Sequence, residues 1–435
     1  MGKLARSDTR NLQKELDEQL EVKQYNYIDL FAGAGGLSLG LERAGFKGVF
    51  AVEQDKWAAE TFRANHPSIK MHVRDIQSIE ESEIRQLMTC PIDLIVGGPP
   101  CQGFSHANTA KRDSKDPRNS LFKDFVRFAR VIQPSICIIE NVPGLLRTKM
   151  SSGLPAISAI ESAFLEIGYV AKWRVLNAAD FGVPQVRERL FIVAIKEELQ
   201  GLDFEWPSAT HTNYGRAEQS DLFHTESSLQ RRVTLWDAIS DLPQICADDE
   251  VPTLLYRNPP SNSYQEEMRE RETVVLENHE PMRHTKRIVE RFAAIGYGQS
   301  EADVPDHLRP RRRGGSGEIS GVVYDQNSRR QRPDEPCNAI VASSHSNFIH
   351  PYLHRNFTVR EMMRIQSFPD WFVARGKRAV LSKKLSAKKG YVDDIFLDQR
   401  AQIGNAVPPR LGQAIGQAAL DALQNYYKKA LKRAA

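Results

Sequence analysis

The feature that most constrains this 435-residue chain is a repeat of short apolar runs, most of them leading into a glycine or an acid. They are YNYIDLF (25–31), KGVFAVE (47–53), KMHVRDI (70–76), PIDLIVGG (91–98), SICIIENVPG (135–144) and RERLFIVAI (187–195). Stretches with helical spacing lie between them: AGAGGLSLGLERAGF (32–46), KWAAETFRANH (56–66), SLFKDFVRFARVIQP (120–134) and AIESAFLEI (159–167). In the third, Leu121, Phe125, Phe128 and Ile132 share one face. Alternation of this kind predicts a doubly wound, mainly parallel α/β sheet covered by helices on both faces, here over residues 25–200. In such sheets ligands bind outside the carboxyl ends of the strands. The glycines after Phe31, then Glu53, Asp75, Cys101 and Glu140, all fall at those ends, so one crevice can gather them.

From 201 to 357 the alternation stops, and prolines, polar residues and arginines dominate. This stretch reads as a second, smaller and irregular domain. Residues 358–401 read as a hinge with a basic insertion. Residues 402–435 read as a turn and long helix returning to the first domain. Residues 1–24, with Leu12, Leu16 and Leu20 four apart, read as a helical extension.

The net charge of +4 is small, but its distribution is not even. RPRRRGG (309–315), NSRRQRP (327–333) and ARGKRAVLSKKLSAKKG (374–390) all lie late in the chain, and together they suit a phosphate backbone. No run of about 18 apolar residues argues for a membrane span. MGKLARSDTR lacks the apolar centre of a signal peptide, so the expected address is the cytoplasm. The five cysteines form no CxxC pair, which speaks against a disulfide framework or a structural zinc site, and no metal is expected.

Three motifs carry chemistry. In DLFAGAGG (29–36) the backbone amides at a helix start can face an anionic group. With Glu53 some twenty residues on, placed for a ribose diol, this suits either a nicotinamide or an adenosyl cofactor. GGPPCQGFS (97–105) is more selective. A hydride-transfer enzyme has no need of a cysteine on a diproline turn, and the polar far side of the turn ill suits a cysteine used as a small hydrophobe. Cys101 therefore reads as a nucleophile at a strand end, whereas Cys90 and Cys137 read as core. In ENVPG (140–144), Glu140 follows three apolar residues, where a carboxylate is costly without a partner or ligand. QVRERLFIV (185–193) places Gln185, Arg187 and Arg189 at alternate strand positions, hence on one face.

Together with TVREMMRIQSFPD (358–370), QIGNAVPP (402–409) and EPCNAIVASSHSNFIHP (335–351), these motifs stand in the order of a known family. The chain resembles the C5-cytosine DNA methyltransferases of bacterial restriction–modification systems. The resemblance covers nearly the whole chain and implies the Rossmann-like methyltransferase fold, with residues 201–357 as target-recognition domain. It implies Cys101, Glu140, Arg187 and Arg189 as catalytic, with both arginines near the base. It implies S-adenosylmethionine as cofactor, held by Phe31, Ala32, Gly33, Ala34, Gly35, Gly36, Glu53, Asp75, Ile76, Pro100, Leu121, Asn405 and Val407. Double-stranded DNA is the implied partner, with the target cytosine flipped out of the helix. Expected DNA contacts are Gln102, Ser105, Arg311, Arg312, Arg313, Arg329 and Arg330. The working form is expected to be a monomer, with a companion endonuclease acting on the same site. Three rivals are weaker. A tRNA methylase of this core would carry a Cys-Phe-Thr tripeptide, which is absent; a silent DNA-binding regulator would not need Cys101, Glu140, Arg187 and Arg189; an oxidoreductase leaves the cysteine loop unexplained.

Overall fold

The computed structural model describes residues 23–100, 121–150, 153–212, 229–247, 249, 255–256, 258–271, 275–311, 318–319, 328–342, 348–378 and 396–434. The leucines of the N-terminal extension, Cys101, Gln102, Ser105, Arg312, Arg313 and most of the basic insertion lie outside the described residues.

The first 200 residues supply β1 (Asn26–Leu30), β2 (Lys47–Glu53), β3 (Lys70–Val73), β4 (Leu94–Gly97), β5 (Ile136–Asn141), β6 (Tyr169–Asn177), β7 (Gln185–Val186) and β8 (Glu188–Lys196). Seven of them form one sheet in the order β3-β2-β1-β4-β5-β8-β6. The first five run parallel, whereas β8 is antiparallel to both β5 and β6. Strand order reverses between β1 and β4, so the loops that follow these two strands diverge and open a crevice there.

The central strands are buried on both faces, as a parallel sheet requires. Tyr27, Leu94, Val96, Ile136 and Ile138 enter one core with Leu37 and Phe62. Ile28, Ile95, Cys137 and Ile139 enter the other with Phe125 and Phe128. This is the period-two alternation of a strand working on both faces at once. The first core is sealed by α1 (Gly36–Ala44) and α2 (Lys56–Asn65), the second by α3 (Glu81–Leu87), α4 (Leu121–Ile132) and α5 (Ala156–Leu165).

Strand β6 had no clear signature in the sequence. It lies at the sheet edge, with Val170 and Trp173 exposed and Lys172 and Arg174 interleaved. Charged residues on an edge discourage pairing with another chain, and they also erase the apolar alternation by which a strand is recognised. From β6 the chain turns through Ala178–Phe181 straight into β7 and β8. So short a link permits only an antiparallel return.

Beyond β8 the described elements are short: β9 (His211–Thr212), β10 (Gln230–Arg231), α6 (Leu235–Ile239), α7 (Ser263–Met268), α8 (Lys286–Ala293) and β11 (Cys337–Asn338). Of these, α6, α7 and β11 share a core with α9 (Val359–Ile365) and α10 (Gln399–Asn405), and Leu39 of α1 enters it too, whereas Phe292 of α8 packs in a separate small cluster with Ile295, Val304 and Ile349. Every residue of α9 is buried, including Arg360, Glu361 and Arg364. Thr358 opens α9 with a reciprocal cap to Glu361. Arg364 donates to Asp370 at 2.6 Å through both Nε and Nη2, and Arg355 grips Glu361 at 2.8 and 2.7 Å. These arginines solve a burial problem and face no polyanion. The methionines of EMMR, Met362 and Met363, simply fill this core. The final helix, α11 (Pro409–Ala434), returns to the first domain, with Leu411, Ile415 and Leu423 beside Leu37 and Leu41 of α1.

Candidate active site

The carboxyl end of β1 turns sharply. Phe31, Gly33 and Gly35 all have left-handed backbones, at φ +61°, +55° and +93°. Phe31 adopts this conformation against its own Cβ, a local strain that surrounding structure must hold in place. The turn is closed by Gly35 N donating to Ala32 O at 3.0 Å and tied to β2 by Ala32 N donating to Val52 O at 3.1 Å. A Cβ built on Gly33 would meet nothing within 4 Å, so the turn presents backbone to open space there. A Cβ on Gly36 would lie 2.2 Å from the Val407 carbonyl oxygen. Val407, some 370 residues away in sequence, thus packs directly on the glycine turn.

Glu53 ends β2. Its Oε2 accepts from Gly33 N and its Oε1 from Asp55 N, both at 2.8 Å. Burial raises its pKa, and those backbone donors oppose the rise. Gln54 is a third backbone donor to this carboxylate, and with about four lone-pair sites the group keeps capacity for an external hydroxyl. Asp75 caps Gln77 N at 3.0 Å and is exposed, while Ile76 is buried. Arg127 of α4 donates to Ile76 O at 2.9 Å and Ile79 O at 2.6 Å, which ties the helix to the segment after β3, and Leu121 shares a core with Ile76.

The next strand end carries the cysteine turn. Gly97 pairs with Ile139 in parallel register, so Gly98 comes beside Glu140. A Cβ on Gly98 would stand 3.0 Å from Glu140 Oε2. Asn141 Nδ2 donates to Pro99 O at 3.1 Å, which pins the diproline turn two peptide units before Cys101. The sequence reading missed Asn141, although its place next to Glu140 was the available signal.

Arg189 meets Glu140 from the antiparallel neighbour, Nε to Oε1 at 2.8 Å. Both side chains are largely buried. Burial raises the Glu140 pKa, and Arg189 and then Arg187 pull it back. Burial lowers that of Arg189, and Glu140 opposes the shift. A carboxyl whose pKa is raised by burial holds a proton more readily than a free carboxylate does.

Arg187 is fully buried. The strand is interrupted at Arg187, with β7 pairing to β11 and β8 to the main sheet. Its Nη1 donates to Ile340 O at 2.7 Å, and its Nη2 donates to Gly404 O at 2.7 Å and Ala406 O at 3.2 Å. Gln185 completes this junction, accepting from Ile340 N at 2.8 Å and donating to Gln366 Oε1 at 2.9 Å. Arg187, expected near the base with Arg189, is thus a guanidinium that fastens segments together among three carbonyls, close enough to Glu140 to lower its pKa. Arg330 is likewise spent inside the protein. It was expected on DNA but is buried, donating to the carbonyls of Ile295, His350, Pro351, Leu353 and Phe292. Arg329 is half-buried and donates to Gly298 O at 2.9 Å, and Arg311 is exposed.

A profile of the C-5 cytosine-specific DNA methylase family matches residues 25–421. The chain belongs to this family. It is accordingly a C5-cytosine DNA methyltransferase. Among its relatives is the type II methyltransferase M.DdeI of Desulfomicrobium norvegicum, 42% identical over 393 residues that span 90% of this chain and 88% of the relative. The type II methyltransferase M1.HphI of Haemophilus parahaemolyticus is 34% identical over 91% of this chain and 86% of its own length. A solved E. coli structure, described as a DNA modification methyltransferase encoded within a prophage, superposes with a TM-score of 0.67 at 25% identity, covering 92% of this chain and 99% of that one. Spodoptera frugiperda DNMT2, at 14% identity and a TM-score of 0.52, shares the fold, covering 91% of this chain and 99% of its own. The Rossmann-like methyltransferase fold is thus shown. Among the described residues no helix is long and apolar enough to cross a membrane, and no group of His, Cys, Asp and Glu is arranged to hold a metal.

Proposed function

We propose that this methyltransferase acts on a cytosine flipped out of a specific duplex sequence, through a transient covalent bond between Cys101 Sγ and C6 of the base. The observation that carries the reading is Glu140, bonded to Arg189 and standing beside the backbone that leads into Cys101. Cytosine C5 is a poor nucleophile. Thiolate addition at C6 breaks the C5–C6 double bond and pushes its electron pair toward N3 and O2. Glu140 places a proton on N3, and Arg189 stabilises the charge developing at O2. C5 then has enamine character. Loss of the C5 proton after methylation restores the double bond and expels the Cys101 thiolate.

The glycine turn fits an adenosyl cofactor. Gly33 faces open space, Glu53 holds the turn with acceptor capacity to spare, and Val407 closes over Gly36. S-adenosylmethionine, when bound, supplies an electrophilic methyl group. In this reading Phe31 to Gly36 cradle it, Glu53 takes the ribose, Asp75 and Ile76 take the adenine, and Pro100, Leu121, Asn405 and Val407 complete the walls. Flipping of the target base follows the general logic of enzymes that modify bases inside duplexes, methyltransferases among them. Gln102, Ser105, Arg311, Arg312, Arg313 and Arg329 remain the proposed DNA contacts. The type II relatives support a restriction–modification role; in this reading the enzyme is a cytoplasmic monomer beside a companion endonuclease.

The test is incubation with radiolabelled S-adenosylmethionine and either duplex DNA or tRNA, with Cys101→Ala as control. Label on DNA cytosine, lost in the variant, is the expected result; label on tRNA alone overturns the reading. DNA containing 5-fluorocytosine should trap a covalent complex, since fluorine cannot leave as a proton.

A further inference from the structure

The glycine turn is gripped from a second side. His66, at the C-terminal end of α2, points Nε2 at Gly35 O (3.1 Å) and Nδ1 at Glu42 Oε2 (2.6 Å). Its side chain is fully buried, 4.5 Å from the Phe62 ring centre and edge-on to Phe372. A carboxylate and a carbonyl are both acceptors, so both contacts are hydrogen bonds when the ring carries a hydrogen on each nitrogen. The fit is close: a Cβ on Gly35 would come within 2.5 Å of Nε2.

Helix capping alone does not explain this contact. Gly35 O already accepts from Leu39 N at 2.9 Å, so the start of α1 is satisfied without His66. The added bond fixes the direction of the Gly35 peptide. One β2–α2 unit therefore supplies both grips, Glu53 at the end of its strand on Gly33 and His66 at the end of its helix on Gly35. The two grips fall on the left-handed residues Gly33 and Gly35, just beyond the strained Phe31.

We propose that His66, oriented by Glu42, is a positioning residue that holds the glycine turn in its cofactor-receiving shape. The proposal rests on the reading of that turn as the S-adenosylmethionine site. His66→Phe keeps the ring and its packing but removes both hydrogen bonds. His66→Gln can restore one donor toward Gly35.

The experiment is calorimetric titration of S-adenosylmethionine and S-adenosylhomocysteine into wild-type protein, H66F, H66Q and E42A, with steady-state kinetics alongside. The expected result is affinity about tenfold weaker in H66F, the loss of a buried hydrogen bond. H66Q should recover part of that loss, and KM for the cofactor should rise more than kcat falls. Wild-type affinity in a folded H66F overturns the proposal. If H66F does not fold by circular dichroism, E42A decides, because Glu42 reaches the surface; an unchanged affinity there overturns the proposal equally. A wild-type protein that binds neither compound overturns the reading of the site itself, which is a distinguishable result.

Discussion

Arg189 Nε stands 2.8 Å from Glu140 Oε1 because β8 runs antiparallel to β5. Glu140 pairs with Phe191, so Arg189, two residues earlier, falls just past the carboxyl end of β5 and folds back onto the carboxylate. In an all-parallel sheet the start of β8 would lie at the opposite end.

This pair predicts a pH effect with a definite sign. Arg189 lowers the Glu140 pKa against the rise caused by burial, so removing the guanidinium raises it. If Glu140 acts protonated, activity is lost as pH rises through that pKa. Arg189→Gln should therefore move the alkaline limb of the kcat/KM profile to higher pH while lowering kcat. Glu140→Gln should lower kcat by about 10²- to 10⁴-fold. Single-turnover methylation across a pH series checks both.

Arg187→Ala should act on stability before chemistry. It leaves the Ile340, Gly404 and Ala406 carbonyls without their donor, at roughly 1–3 kcal/mol for each buried group left unsatisfied. Urea unfolding should show a loss of several kcal/mol, and lysine should rescue only part of it because it cannot span the segments as a planar fork does.

Asp29 is buried, accepts from Ser38 Oγ at 2.7 Å, and has its pKa pushed up to about 7, chiefly by burial. The folded state keeps this proton over a range where the unfolded chain has lost it. Asp29 thus favours folding at low pH, and that contribution fades as pH rises from near 4 toward 7. Asp29→Asn should gain stability relative to wild type across this window, by on the order of 3–4 kcal/mol. Denaturant midpoints at pH 4.5 and pH 8 provide the comparison.

Two glycines of the turn should behave differently. Gly36→Ala drives a methyl group into the Val407 carbonyl and should destabilise by about 1–3 kcal/mol, as overpacking does. Gly33→Ala meets no atom. Its cost is the left-handed backbone, about 1–2 kcal/mol, and its larger effect should be weaker S-adenosylmethionine binding. Thermal melts with and without the cofactor separate the two.

Arginines in the recognition region should divide the same way. Arg330→Ala should lower the melting temperature and leave the salt dependence of DNA binding unchanged, since its donors are spent on carbonyls. Arg311→Ala should reduce the slope of log K against log salt by about one.

The alternation of apolar runs and helical stretches determined the parallel core of the sheet, and with it the strand ends where Gly33, Glu53, Asp75 and Glu140 stand. Such patterns are legible because strand and helix periodicities are properties of neighbouring residues. Direction and partnership are not. The antiparallel entry of β8, the edge strand β6, the meeting of Val407 with Gly36 and the interior places of Arg187, Arg330 and Arg364 were decided by the tertiary structure. An arginine has the same local signature on a phosphate as among buried carbonyls. Only the packing that surrounds it determines whether water, DNA or the chain's own backbone takes its hydrogen bonds.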